Sequence, residues 1–124
     1  MNKCKIMIWE REFDLNATYE CYPGETVLDY QKEALASLCA MSSVIEESKK
    51  NVERYIMNEN PTEVGKSIDN IFKYVMPVGI FIPRNIESRK VAIMCNYKFD
   101  PEHGLAIVFE NEMFKTVGTQ DIVL

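Results

Sequence analysis

Cys95, Asp100, Glu102 and His103 fall within nine positions of one stretch, "CNYKFDPEHG", and His103 is the only histidine of the chain. A thiolate beside an imidazole, with a third group orienting the ring, is the arrangement of a nucleophilic catalyst. Asp100, Glu102 and His103 could instead offer oxygen and nitrogen ligands to a metal ion. Both chemistries need converging side chains, and the local pattern argues against convergence. Asp100 and Pro101 suit the first two positions of a type I turn, and Gly104 supplies the positive φ that lets the chain re-enter a sheet. Cys95 then points inward from mid-strand while His103 rides on the turn, and three ligands on one tight turn seldom meet at one ion. No catalytic, cofactor-binding or metal-ligating residue is assigned on this reading. The alternative is a small hydrolase using the His103 turn with Asp121 or Cys95.

The elements that would carry this turn are legible from apolar periodicity. Cys4, Ile6 and Ile8 alternate with Lys5, Met7 and Trp9 as in a strand. A second strand fits Ala17–Tyr22, with the charged "EREFDLN" as connection, giving an N-terminal hairpin that ends at Pro23-Gly24. Thr26 with Asp29 resembles a capping box, and Leu28, Leu35, Leu38 and Cys39 share the inward face of the helix that follows. Ser43 with Glu46 could cap a second helix carrying Ile45, Val52, Tyr55 and Ile56 inward, so either one kinked helix or two in succession is expected. Asn58–Gly65 reads as the main loop. Ile68, Ile71, Phe72 and Val75 have the spacing of a short amphipathic helix that Pro77 ends.

Beyond Pro77 the pattern changes to "VGIFI", "KVAIMCNY", "GLAIVFE" and "MFKTVG", an antiparallel meander of about four strands. Val91, Ile93, Cys95 and Tyr97 face one way and Ala92, Met94 and Asn96 the other; Phe81, Met94, Val108 and Phe114 are expected on a second, less buried face. The fold class is α+β: an N-terminal β-hairpin, two or three helices, then the meander, as a single domain over residues 1–124.

Composition bounds the function. Hydrophobic residues make up 47% and charged residues 27% of 124 residues, an ordinary globular balance. A net charge of -5 argues against nucleic acid or an anionic membrane as partner and suits a basic protein. Cys4, Cys21, Cys39 and Cys95 form no C-x-x-C pair, so four reduced, mostly buried thiols are expected. The charged N-terminus lacks the apolar run of a signal peptide, no stretch approaches the roughly 18 apolar residues of a membrane span, and a cytoplasmic location follows as an expectation.

The segment "DPEHGLAIVFENEMFKTVGTQDIVL" resembles the C-terminal signature of an uncharacterised bacterial domain family, in which E-H-G-L leads through two strands to G-x-Q-D-I. The matching positions are Glu102, His103, Gly104, Leu105, Gly118, Gln120, Asp121 and Ile122, with a looser match through "CYPGE" and "QKEAL". Asn111 is followed by Glu112 where such relatives more often have Asn-Gly. Glu112 adopts the left-handed conformation poorly, so a longer or different turn is expected there. Domains of this kind resemble immunity proteins that accompany polymorphic or contact-delivered toxins. That implies a binding protein without cofactor or catalysis, whose partner is a cognate toxin, and structural roles for His103, Gly104, Gln120 and Asp121. Asp100 and Glu102 at one end of the meander, and Glu110 and Glu112 at the other, are the carboxylates placed to steer a basic toxin. A non-catalytic oligomeric scaffold is the remaining alternative.

Overall fold

The structure, a computed structural model, describes residues 2–85 and 87–124. The alternation at the N-terminus produces β1 (Asn2–Ile8), with Cys4, Ile6 and Ile8 buried. The chain reverses on Trp9 and Glu10, at φ 52° and 69°, the two-residue turn whose twist suits a hairpin. Strand β2 (Arg11–Tyr19) pairs with β1 from Ile8↔Arg11 to Asn2↔Ala17. The charged stretch expected to be a connection is therefore itself strand. Phe13, Leu15 and Ala17 turn inward, while Glu12, Asp14 and Asn16 form the solvent face. The turn is held from outside the hairpin: Trp9 Nε1 donates to the Ile45 carbonyl at 3.1 Å and the Glu10 amide donates to Glu46 Oε1 at 2.8 Å.

Two helices follow in succession, α1 (Asp29–Ala40) and α2 (Ser42–Glu59), divided at Met41, which lies outside helical geometry at φ -108°, ψ 51°. Leu28, two residues beyond Thr26, caps α1, and the missing cap oxygen comes from within the helix. Gln31 Oε1 accepts the Leu28 amide at 2.9 Å, while its Nε2 donates to the carbonyls of Glu20 (2.8 Å) and Ile82 (3.1 Å). Ala34 and Leu38 are buried and Leu35 half-buried, but Cys39 is exposed; Ile45, Val52 and Ile56 are buried on α2, with Tyr55 half-buried. Cys21 is exposed as well, so only Cys4 and Cys95 of the four free thiols are buried. A short helix α3 (Pro61–Val64) occupies the expected main loop, started by proline where no amide donor is needed.

The expected helix before Pro77 is reduced to one 3-10 turn at Ile71–Lys73, and β3 (Val75–Ile82) runs through the proline. Pro77 is tolerated because pairing with β2 begins only at Gly79, and a bulge lies between Pro77 and Gly79. Strands β4 (Lys90–Tyr97), β5 (Leu105–Glu110) and β6 (Met113–Gly118) complete the meander.

The α+β class stands, but hairpin and meander are not separate layers. All strands form one six-stranded mixed sheet in the order β1-β2-β3-β4-β5-β6, antiparallel except for β2 and β3, which pair in parallel from Asn16↔Gly79 to Tyr19↔Ile82. The helices supply the crossover that a parallel pair requires. Helix α2 touches both edge strands, β1 and β6, so the sheet curls around it. Val91, Ile93, Cys95 and Tyr97 pack toward the helices, whereas Ala92 is buried on the other face with Ala106 and Val108, against Met94 and Val123. Phe114 leaves the face expected for it: a bulge after Val108 sets it opposite Phe109, and the two rings meet edge-on at 6.3 Å on the helix side. No helix among the described residues is long and apolar enough to cross a membrane.

Candidate functional site

Strand β4 ends at Tyr97, and the chain returns to β5 through a strap, residues 98–104, built around Asp100. The Asp100 amide donates to the Tyr97 carbonyl (3.2 Å) and the Gly104 amide donates to the Asp100 carbonyl (2.8 Å). The Asp100 carboxylate accepts the His103 amide at 3.2 Å and meets His103 Nδ1 at 3.0 Å. That hydrogen bond, and then the charge of Asp100, raise the imidazole pKa above its ordinary 6.5. Gly104 has φ +65°, and a Cβ there would lie 2.5 Å from Gln120 Nε2 and 2.8 Å from the Cys95 carbonyl oxygen. Gln120 closes the strap from the C-terminal segment: its amide donates to the His103 carbonyl (3.1 Å) and its Nε2 to the Cys95 carbonyl (3.0 Å). Asp121 takes the Thr119 hydroxyl, which lowers its pKa, helped by nearby His103. His103, Gly104 and Gln120 thus interlock, with Asp121 beside them.

Cys95 and His103 do not form a nucleophile and base pair. Cys95 is fully buried under the sheet, and desolvation pushes its thiol far above the usual range, while the His103 side chain is 57% exposed. Among the described residues no group of three His, Cys, Asp or Glu side chains is placed to hold a metal ion.

The four candidate carboxylates divide into two unlike pairs. At the β5–β6 end, Glu110 accepts Lys115 Nζ at 2.8 Å and the Ser88 hydroxyl at 2.6 Å, and these contacts lower its pKa. Glu112 is gripped by Arg89 through two hydrogen bonds of 2.8 Å, which lower its pKa in turn. Asn111 and Glu112 have φ 51° and 65°, so the two-residue turn is kept despite the glutamate. Asn111 exchanges hydrogen bonds with the Arg89 backbone at 3.0 and 3.1 Å.

At the strap end Glu102 is exposed, and Asp100 lines a cleft of about 210 Å³ with Tyr55, Glu59, Asn60, Tyr97 and Phe99. Asn60 Nδ2 donates to the Tyr97 hydroxyl at 2.6 Å. The Tyr97 phenol is pushed up to about 12, chiefly by burial and next by Tyr55; burial, then Glu59 and Asp100, raise the Tyr55 phenol. Carboxylates beside aromatic rings suit a cationic side chain, which can take a charge-assisted hydrogen bond and a ring face together. Sequence reasoning missed Tyr55, Glu59 and Asn60 as companions of Asp100. Their only local signal is the i,i+4 spacing of Tyr55 and Glu59 on α2.

No curated protein and no solved structure matches the chain. A family model described as "Domain of unknown function (DUF6985)" matches residues 2–124, nearly the whole sequence, and the chain belongs to that family.

Proposed function

We propose that this chain is an immunity-type protein of a bacterial cytoplasm, which binds a cognate toxin domain and covers its working surface without chemistry of its own. The observation that carries the reading is the grouping of Glu59 and Asp100 with Tyr55 and Phe99 in one cleft, with exposed Glu102 on the strap two residues beyond Asp100. A net charge of -5 steers a basic partner toward it, and a lysine or arginine seated in the cleft slows release. The resemblance of the C-terminal signature to toxin-immunity domains supports the same role. Glu110 and Glu112 are held by the permanent cations Lys115 and Arg89, whereas Asp100 meets only the titrating imidazole of His103 and Glu102 makes no ion pair among the described residues; the reading therefore rests on Asp100 and Glu102.

Two measurements test this. On this reading a toxin gene lies directly beside this one, and co-expression should protect cells from its product. With that toxin purified, Asp100→Lys with Glu102→Lys should slow association at least about fivefold at low salt, while Glu110→Lys with Glu112→Lys should not. Absence of protection, or an association rate indifferent to salt and to the first double reversal, sinks the reading in favour of a scaffold.

A further inference from the structure

The cations of this acidic chain are unevenly matched. Among the described residues, ion pairs engage Arg84, Arg89, His103 and Lys115. Arg11 and Lys98 rest on aromatic rings instead. The Arg11 guanidinium lies 5.3 Å from the centroid of Phe13 and 5.2 Å from that of Phe72, and Lys98 Nζ lies 5.8 Å from Tyr74 and 5.9 Å from Phe99. Phe72 and Tyr74 also line an open cleft of about 500 Å³ with Lys73, Met76, Asn96, Lys98 and Pro101; no carboxylate lines it, and Asp100 and Glu102 flank Pro101 on the strap at its rim. Lys73 and Lys98 are exposed. This cleft adjoins the strap opposite in character to the acidic one, and Tyr97 lines both.

We propose that the cleft is the docking site for a short acidic segment of a partner protein, one in which carboxylates flank an apolar or aromatic residue. Such a segment places carboxylates on Lys73 and Lys98 and covers Phe72, Tyr74 and Met76 with its apolar side chain. Local charge complementarity selects an anion, and two arguments select a peptide. A nucleic acid strand, charged at every nucleotide, would continue past the cleft over Asp100 and Glu102 and meet repulsion within a Debye length of about 8 Å, whereas a peptide with a few carboxylates can keep them at Lys73 and Lys98. Small-ligand sites depend on convergent, fixed polar groups, whereas here the charged and amide groups belong to two exposed lysines and an exposed asparagine, and the Tyr97 hydroxyl is already bonded to Asn60. The inference does not rest on the immunity reading, since the segment could belong to any protein partner.

Selection of random displayed peptides on the full chain tests it, run in parallel on the Lys73→Glu, Lys98→Glu double variant. The wild-type chain should enrich Asp and Glu next to Trp, Tyr, Phe or Leu. A winning peptide should bind the double variant at least about tenfold more weakly by fluorescence anisotropy, and Lys98→Arg should keep most of the affinity. If the reversed variant does not fold by circular dichroism, Lys73→Gln with Lys98→Gln takes its place with the same expected loss. No acidic enrichment, or undiminished binding to the charge-altered variant, overturns the proposal. Tighter binding of a labelled oligothymidylate than of the best peptide overturns it in favour of nucleic acid.

Discussion

Glu112 occupies a backbone conformation that glycine adopts more easily, and Arg89 compensates. Left-handed geometry costs a non-glycine residue roughly 1–2 kcal/mol, and the solvent-screened bidentate pair with Arg89 offsets part of that. Glu112→Gly should therefore be close to neutral by urea denaturation, and in an Arg89→Ala background the same change should stabilise. Glu112→Ala, which keeps the strain and loses the pair, should lower the urea midpoint, and Glu112→Gly should not. Gly104 is stricter, because both its φ and the nearby Cys95 carbonyl oppose a side chain. Gly104→Ala should destabilise by about 2–4 kcal/mol, and Gln120→Ala should rescue it only in part, since the carbonyl remains. His103 provides a pH test. Asp100 raises its folded-state pKa, so the pair adds stability below the unfolded imidazole value and loses it as pH rises through the higher folded value. The denaturation midpoint should fall as pH rises past the ordinary imidazole value, and Asp100→Asn should flatten that slope. The strap was readable because Asp100, Pro101 and Gly104 carry their turn chemistry locally. The Arg89 clamp was not, because its donor lies on a distant segment.

At the level of elements, legibility followed the same division. The strands beyond Pro77 are short, largely apolar runs broken by turn formers, so their existence follows from local pattern. In β2 the apolar Phe13, Leu15 and Ala17 alternate with charges, and the alternation resembled a polar connection until the hairpin turn was placed at Trp9-Glu10. Ile68 to Val75 fits a helix as well as a strand entry, and the sheet decides it by pairing Val75 with Tyr97. The start of α1 depends on Gln31, which is buried at 1% exposure and joins the helix to the ends of β2 and β3. Gln31→Ala orphans the Leu28 amide and takes a donor from two carbonyls. It should cost roughly 2–4 kcal/mol, read as a lower urea midpoint with unchanged slope. A loss under about 0.5 kcal/mol, the size of an ordinary surface change, would show that water replaces the amide.

For the whole molecule, the parallel seam between β2 and β3 has a kinetic consequence. Every other strand pair joins neighbours in the chain and can close as a hairpin within microseconds to tens of microseconds. The seam must wait until the segment from Asp29 to Val75 has been drawn back across the sheet, a loop-closure cost that slows folding as sequence separation grows. The meander should act as the nucleus, and the N-terminal hairpin should dock onto it late. Ile107, between β4 and β6, and Ile82, which pairs with Tyr19 across the seam, are matched probes. Each isoleucine-to-valine change should cost about 1 kcal/mol at equilibrium. Ile107→Val should chiefly slow folding and Ile82→Val chiefly speed unfolding in stopped-flow chevrons. A chain that opens first at this seam would release its N-terminal hairpin, and with it the Trp9, Phe13 and Arg11 contacts on Phe72, while the Asp100 strap stays assembled between β4 and β5.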